Sequence, residues 1–562
     1  MSLFNDASLV LIPSGYKEDV VYSVKPTDGS GDLTFTRASD GTRVNSSGLV
    51  ENVPWNLLEQ SNTFSTTWTL NNVNVTSGQS GYDGANNAWS LSKTAANGEI
   101  RQTVLSGLRT FSIYAKAGSL NWLYLLKGGN AGQFFNLSTG QVGTGNAQVI
   151  SANIQSVGGG WYLCSMVYND AYNGSLRIYP ADADNDTTAT SGSIYIQDAQ
   201  LVEGTTAKPY FPTTDRQNVP RLTYEGGCPS LLLEPQRTNL GINTIWAGGV
   251  PPTSWQQANS NGTITAVTSN LGTDATALSF ANSGGGSLNV ENTIVYTATN
   301  YVISFYIESI SGTLTYQDLV RLTGSPNITT SAFFLNGASV LASSQVQVGR
   351  VEYRFTLGTG ATHGARIGSG TGATTITTNT VVLSRPQFEQ GAYATSYIPT
   401  TSASVTRVAD TFTRNNIYTN GLISASGGTW YVELKNNVEY VRDANNGLFL
   451  GDSTTINSGN QFAIRNFSAV GVGLLSIVKY ISGSGSAIYT ATTNNVKIAI
   501  KWNGTTADVF ANGVKVVSAT AFTTTNMENL LGNGSSVPFF IQQMSLFPTP
   551  LSDSDCQTLT TI

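Results

Sequence analysis

The sequence predicts an all-β protein made of tandem β-sandwich modules. Composition is the first observation that predicts it. Charged residues are 11% of the 562, against roughly 25% in an average soluble protein, and 58 glycines with many Ser, Thr and Asn take their place. The second is patterning: short apolar runs alternate with Gly, Asn and Pro turns, with no sustained helical period. The third is a duplication. Gln200-Leu201-Val202-Glu203-Gly204, Tyr210-Phe211-Pro212-Thr213-Thr214 and Val219-Pro220-Arg221 return as Gln387-Phe388-Glu389-Gln390-Gly391, Tyr397-Ile398-Pro399-Thr400-Thr401 and Val405-Thr406-Arg407. Gln200 to Gln387 and Tyr210 to Tyr397 both span 187 residues, so the match keeps register across the loop between. It reads as the exit of a repeated module.

Each exit has a physical logic. Ile194-Tyr195-Ile196 and Val381-Val382-Leu383 are short runs suited to a sheet interior. Gly204 and Gly391 allow a tight turn with positive φ. The proline that follows stiffens an extended arm.

Four segments follow along the chain. Residues 1–53 hold short strand-like runs, Val20–Val24 and Leu33–Arg37, with turns at Asp40-Gly41 and Ser47-Gly48. So small a piece buries little core alone, so it is expected to lean on a neighbouring module or another chain and to serve as an attachment segment. The first module spans 54–222, opening at Asn56-Leu57-Leu58, with strands at Phe111–Lys116 and Trp161–Val167. The second spans 223–410 and repeats these landmarks as Asn239-Leu240, Ile303–Glu308 and Val351–Phe355. The last spans 411–562. In it Ile498, Ile500 and Trp502 alternate with Lys497 and Lys501, as in a half-buried strand. Asn503-Gly504 and Asn512-Gly513 are hairpin turns, Phe539-Phe540-Ile541 starts a last core strand, and Leu551–Asp555 reads as a helix N-cap.

Several function classes are disfavoured. Net charge is −6 with no basic cluster, which argues against nucleic acid as partner. No apolar run is long enough to span a membrane, and residues 1–15 do not read as a signal peptide. Cys164, Cys228 and Cys556 show neither disulfide nor zinc spacing, which favours assembly in a reducing compartment. The one histidine, His363, in a Gly-rich run, reads as solvent-exposed. Gly368-Ser369-Gly370-Thr371-Gly372 reads as a turn, since no phosphate-loop lysine follows it. The nearest approach to a paired-carboxylate hydrolase motif, Glu433 and Glu439, lacks a central Asp. The chain is expected not to be an enzyme.

Binding leaves subtler marks. Trp122 and Tyr124 stand two apart, so a strand presents both on one face. They form either a stacking platform for sugar rings or part of the core. Asp182, Asp184 and Asp186, with Asn185, gather oxygen ligands suited to Ca²⁺, the only cofactor in prospect; the alternative is a solvated acidic loop. Trp161 and Trp502 read as core. Glu203 and Glu389 lie one position out of register between the copies, which points to local backbone contacts rather than chemistry.

Resemblances sharpen these expectations. Lys501–Gly504 to Ala511–Val516, with Ser545–Phe547 and Pro550–Asp553, resembles concanavalin A-like/laminin-G-like domains over about 60 residues. The repeated modules, through Gln200–Thr213 and Gln387–Thr400, resemble carbohydrate-binding-module-like jelly rolls of bacteriophage tail and fibre proteins. Leu33–Glu51, Asn218–Leu222 and Leu233–Leu240 also look like phage structural proteins. The resemblance implies a virion structural protein, a head or tail fibre or decoration subunit made in the bacterial cytoplasm and exposed on the particle. Other virion proteins would dock on the N-terminal segment, and host or mucus glycans would be the ligands. A homotrimer is implied by analogy with fibres. A purely structural role and a glycan-degrading tail spike are the alternatives.

Overall fold

The computed structural model describes residues 3–128, 131–170, 173–225, 227–272, 275–370, 376–435, 447–466, 475–491, 493, 496–523, 526–534 and 538–562. The chain is nearly all antiparallel strand, as expected, and divides into two units, Val53–Gln217 and Met1–Asn52 with Asn218–Ile562. Among the described residues no helix is long and apolar enough to cross a membrane.

The unit Val53–Gln217 is a sandwich of two six-stranded sheets. The first runs in the order Gln141–Gly145, Ala131–Asn136, Trp122–Lys127, Gly174–Ala181, Glu99–Val104 and Thr69–Asn71. The second runs Val149–Gly158, Trp161–Asp170, Gly107–Ala117, Ser193–Glu203, Ala88–Lys93 and Val73–Gln79. Alternate residues of each strand, such as Ile113, Leu123, Leu125, Met166, Ile178 and Ile196, meet in one core.

Within the other unit, the second repeat is a nine-stranded sheet over a four-stranded one. Strand order mirrors the first copy, with a central strand, Asn300–Gly312, paired to Gly349–Leu357 and Asn379–Gln390. One element differs. The hairpin Ala131–Asn136/Gln141–Gly145 has no equivalent among the described residues, because Val320–Leu322 runs directly on to Ile328–Leu335.

The last sandwich corrects the expected boundaries. Residues 1–52 do not stand apart as a separate segment; their strands are built into its two sheets, except for the two-stranded sheet of Gly41–Val44 and Val50–Val53. Leu9–Leu11 pairs with Phe539–Phe547, setting Leu9 opposite Leu546. Leu33–Thr36 pairs with Thr411–Asn415, setting Phe35 opposite Phe412. Arg221–Thr223 and Ser230–Leu233 extend the sheet of Leu9–Leu11 and Phe539–Phe547, beyond the expected boundary at 222. Leu9, Leu11, Phe35, Leu231 and Leu233 all lie in the core of Trp430, Ile500 and Trp502. Strands this short gain stability only by completing a larger sheet. The C-terminal helix Asp553–Thr560 starts as read, with Ser552 Oγ accepting from the Asp555 amide at 3.1 Å.

The duplicated signal is a side-chain clamp. Gln200 donates to Lys208 O (2.6 Å) and Pro209 O (3.3 Å) and accepts from the Phe211 amide (2.9 Å). Gln387 makes the same bonds to Thr395 O (3.1 Å), Ser396 O (3.3 Å) and the Ile398 amide (2.5 Å). The opening asparagines close the other side. Asn56 donates to Phe211 O (3.0 Å) and accepts from Leu201 N (3.2 Å); Asn239 donates to Ile398 O (2.7 Å) and accepts from Phe388 N (3.0 Å). The start and finish of each module are thus tied by buried amides whose loss would strand backbone groups.

The closing arginines of the signal, Arg221 and Arg407, converge on Glu234 at 2.7 and 3.0 Å. Asp410 takes Arg221 and, at 2.9 Å, Arg37. All five side chains are buried. Burial acts to raise the Glu234 carboxyl, but Arg407 and Arg221 outweigh it and hold it well below the usual range. Burial lowers the Arg37 guanidinium to about 10, against the pull of Asp410, so it stays charged at neutral pH. In one ion network the N-terminal strands, the segment after the first module and the segment after the second are held together.

Candidate functional site

Trp122–Lys127 alternates over its first four residues, and Leu126 and Lys127 are both buried. Leu123 and Leu125 are fully buried, while Trp122 and Tyr124 stand half-buried on the opposite face of the sheet. Of the two readings, the structure places the leucines in the core and the aromatics outside it. Register gathers further rings there: Tyr124 lies opposite Phe134 on one side and Tyr179 on the other. Ring centroids are 4.0 Å apart at 13° for Tyr124–Phe134 and 5.4 Å at 40° for Tyr124–Tyr179.

Two glycines make room for these rings. A Cβ on Gly132 would collide with the Tyr124 hydroxyl and ring, and one on Gly143 with Trp122 and the Asp184 carboxylate. Both lie on the hairpin that only the first copy has. The aromatic row ends in charge. Glu99, almost fully buried, pairs with Arg101 at 3.2 Å and Arg177 at 3.6 Å, and Arg177 donates to the Tyr179 hydroxyl at 3.3 Å. Burial, and then Glu99, push the Tyr179 phenol up to about 12, so its hydroxyl keeps its proton. Phe134 and Tyr179 are themselves buried, so the face offers the half-exposed rings of Trp122 and Tyr124 beside fixed polar groups, the combination that suits a sugar's C–H face and hydroxyls. In the second copy the topologically matching strands carry the Glu291–Arg366 pair (2.6 Å) instead.

The acidic loop is not brought together as a cation site. Asp182 holds Lys93 (3.1 Å) and the Ala189 amide, Asp184 caps Thr144 (N 2.7 Å, Oγ 2.9 Å), and Asp186 caps Thr188 (N 2.9 Å, Oγ 2.7 Å). Each carboxylate is satisfied by its own donor, and no group of three acidic, Cys or His side chains fit for a metal occurs among the described residues. Asn185 sits at the turn with φ +60°.

Other expectations meet the structure as follows. His363 is not exposed; it is buried in strand Ala361–Ser369 with Nδ1 2.9 Å from Thr323 O, because the Gly-rich run is a core strand rather than a loop. Thr371 and Gly372 lie outside the described residues, as does Glu439. Glu433 pairs with Lys497 at 3.6 Å. Glu203 pairs with Arg109 (3.1 Å), and Glu389 accepts from the Thr395 amide (2.9 Å). Trp161 and Trp502 are core.

Sequence reasoning missed two features. One is the ion network, although Arg repeated at both module exits in a charge-poor chain was its signal. The other is a bulge shared by both copies, where Asp198 and Arg385 adopt φ +55° and +51°. Asp198 is buried under Tyr82, which donates to it at 2.9 Å and stacks on Tyr114 at 3.8 Å; burial pushes its carboxyl up to about 6.

No known protein family matches this chain, and no curated protein does. Solved structures resemble parts of it. Domain 4 of a GH43 extracellular arabinanase from Geobacillus stearothermophilus, in complex with arabinotriose, shares 16% identity over 30% of this chain and 81% of its own, with a TM-score of 0.22. The CBM40 module of a Ruminococcus gnavus IT-sialidase bound to α2,3-sialyllactose shares 20% over 24% and 83%, with a TM-score of 0.18. The N-terminal CBM22 tandem of Paenibacillus barcinonensis Xyn10C shares 14% over 60% and 97%, with a TM-score of 0.19. At these scores the likenesses carry no argument for this chain's ligand.

Proposed function

We propose that this chain is a glycan-binding virion structural protein of a bacteriophage, displayed on the particle surface as a fibre or decoration subunit. It would hold host-surface or mucus glycans on the outer face of its first module without cleaving them. The observation that carries the binding role is the pair Trp122 and Tyr124, half-buried on the face away from the leucines, with Tyr124 packed on the buried rings of Phe134 and Tyr179 and with Gly132 and Gly143 vacated beside them. The phage setting rests on the resemblance of the repeated exits, as does assembly as a trimer, in which several weak sites would act together. Attachment to other virion proteins would use a surface of the composite C-terminal sandwich, because the N-terminal strands are consumed within it.

The test uses purified protein and capsular polysaccharide from a bacterial host, following retention on the polysaccharide and release of reducing ends together. Retention that falls at least about tenfold in Trp122→Ala, with no reducing ends released, is the expected result. Release of reducing ends would replace adhesion by cleavage. Absence of both signals would leave a role in bracing the particle.

A further inference from the structure

A cleft of about 400 Å³ lies where the second repeat meets the C-terminal sandwich, within one unit of the fold. Its walls include Tyr306, Arg350 and Glu352 of the repeat, Glu225, and Pro538 and Phe540 of the last sandwich. Most of its polar groups are already engaged. Arg350 lies 5.7 Å over the Tyr306 ring and donates to Ser304 Oγ at 3.2 Å and to Thr395 O. Glu352 accepts from Arg354 and from the Ala394 amide, both at 3.0 Å. Glu234 is held by Arg221, Arg407 and Ser396.

Glu225 is different. It is half-buried at the cleft wall, and no hydrogen-bond donor reaches its carboxylate among the described residues. Burial raises its carboxyl above the ordinary range despite the nearby Arg350. The cleft thus offers an unmatched acceptor; of the Arg350 donors, Nη2 is taken by Ser304 and Thr395, while Nε is buried without a partner. An anion such as a uronate would meet three carboxylates on the cleft wall, Glu225, Glu234 and Glu352; a ligand rich in O–H or N–H donors fits. Tyr306, Pro538 and Phe540 supply apolar wall for a ring's C–H face.

We propose that this cleft is a second binding site, which takes a single neutral or amino-bearing sugar ring and holds it through hydroxyl or ammonium donors on Glu225. It is separate from the aromatic face of the first module and does not depend on it.

Saturation-transfer NMR on the full chain, with glucose, galactose, glucosamine and glucuronate as probes, tests it. The expected result is transfer to a neutral or amino sugar and none to glucuronate. Affinity should fall at least about tenfold in Glu225→Gln, which keeps the side chain's size, with unchanged melting. Transfer should persist in Trp122→Ala, which separates this site from the first module. No transfer to any neutral or amino sugar, equal transfer to glucuronate, or transfer untouched by Glu225→Gln would each overturn the proposal. The glucuronate and Glu225→Gln comparisons are made in the Trp122→Ala chain, where the first module's aromatic face no longer contributes transfer, so polysaccharide retention by that module can succeed or fail without changing these outcomes.

Discussion

Removing Asp410 should unfasten the C-terminal unit. Its carboxylate accepts from Arg37 at 2.9 Å, from Arg221, and from the Glu234 amide at 2.8 Å, and neither it nor either arginine is exposed. In Asp410→Ala, Arg37 keeps only the Ser39 carbonyl at 3.0 Å, while Arg221 still has Glu234. One buried guanidinium then loses its counter-charge, at a cost of about 3–5 kcal/mol. For a unit of this size the melting point should fall by roughly 4–6 °C. Differential scanning calorimetry can read this, because the unit Val53–Gln217 holds none of the network and its transition should stay in place. The loss comes from an orphaned charge, so adding Arg37→Met should recover at least about 1 kcal/mol. A shift of less than about 1 °C, or no recovery in the double variant, would refute the reasoning.

Other expectations follow from the same geometry. Gln200→Ala and Gln387→Ala should each cost about 2–3 kcal/mol, the first seen only in the transition of Val53–Gln217 and the second only in the other. Asp198, raised to about 6 from 3.8, binds its proton more tightly folded than unfolded, so its contribution to stability falls as pH rises from about 4 to about 6 and is flat above. Asp198→Asn, which can still accept from Tyr82, should therefore match the parent at pH 3 and gain up to about 3 kcal/mol at pH 7 in chemical denaturation. EDTA should leave the first module's melting unchanged, because Asp182, Asp184 and Asp186 each hold a protein donor; a fall on chelation would show a cation there.

Much of the fold was legible because it is local. Alternation at Ile498–Trp502 and turns such as Asn512-Gly513, with φ +48° and +83°, depend on neighbours a few residues away. Repetition carried more, since the 187-residue spacing survives as matched bonds at Gln200 and Gln387. What stayed hidden depends on distant partners. Nothing in Leu9–Leu11 names Leu546 as its neighbour, so residues 1–53 read as an attachment segment leaning on a module or chain the sequence could not specify. At the candidate site, period two put Trp122 and Tyr124 on one face but could not say which face met the core. That depended on Phe134 and Gly132 from a hairpin whose pairing is not written in its own residues. Asp198 and Arg385 share a bulge yet carry opposite charges, so comparing the copies by residue type passes over it.

The closure of Leu9–Leu11 against Met544–Leu546 also sets an order of events. As the chain leaves the ribosome, residues 53–217 can complete their sandwich while the earlier strands still wait for partners hundreds of residues away. Those waiting strands are short and apolar, and in a crowded cell an open sheet edge of that kind can pair with the wrong chain. The composite sandwich should therefore be the slow step of maturation, and the one most helped by a chaperone or by assembly with its own copies.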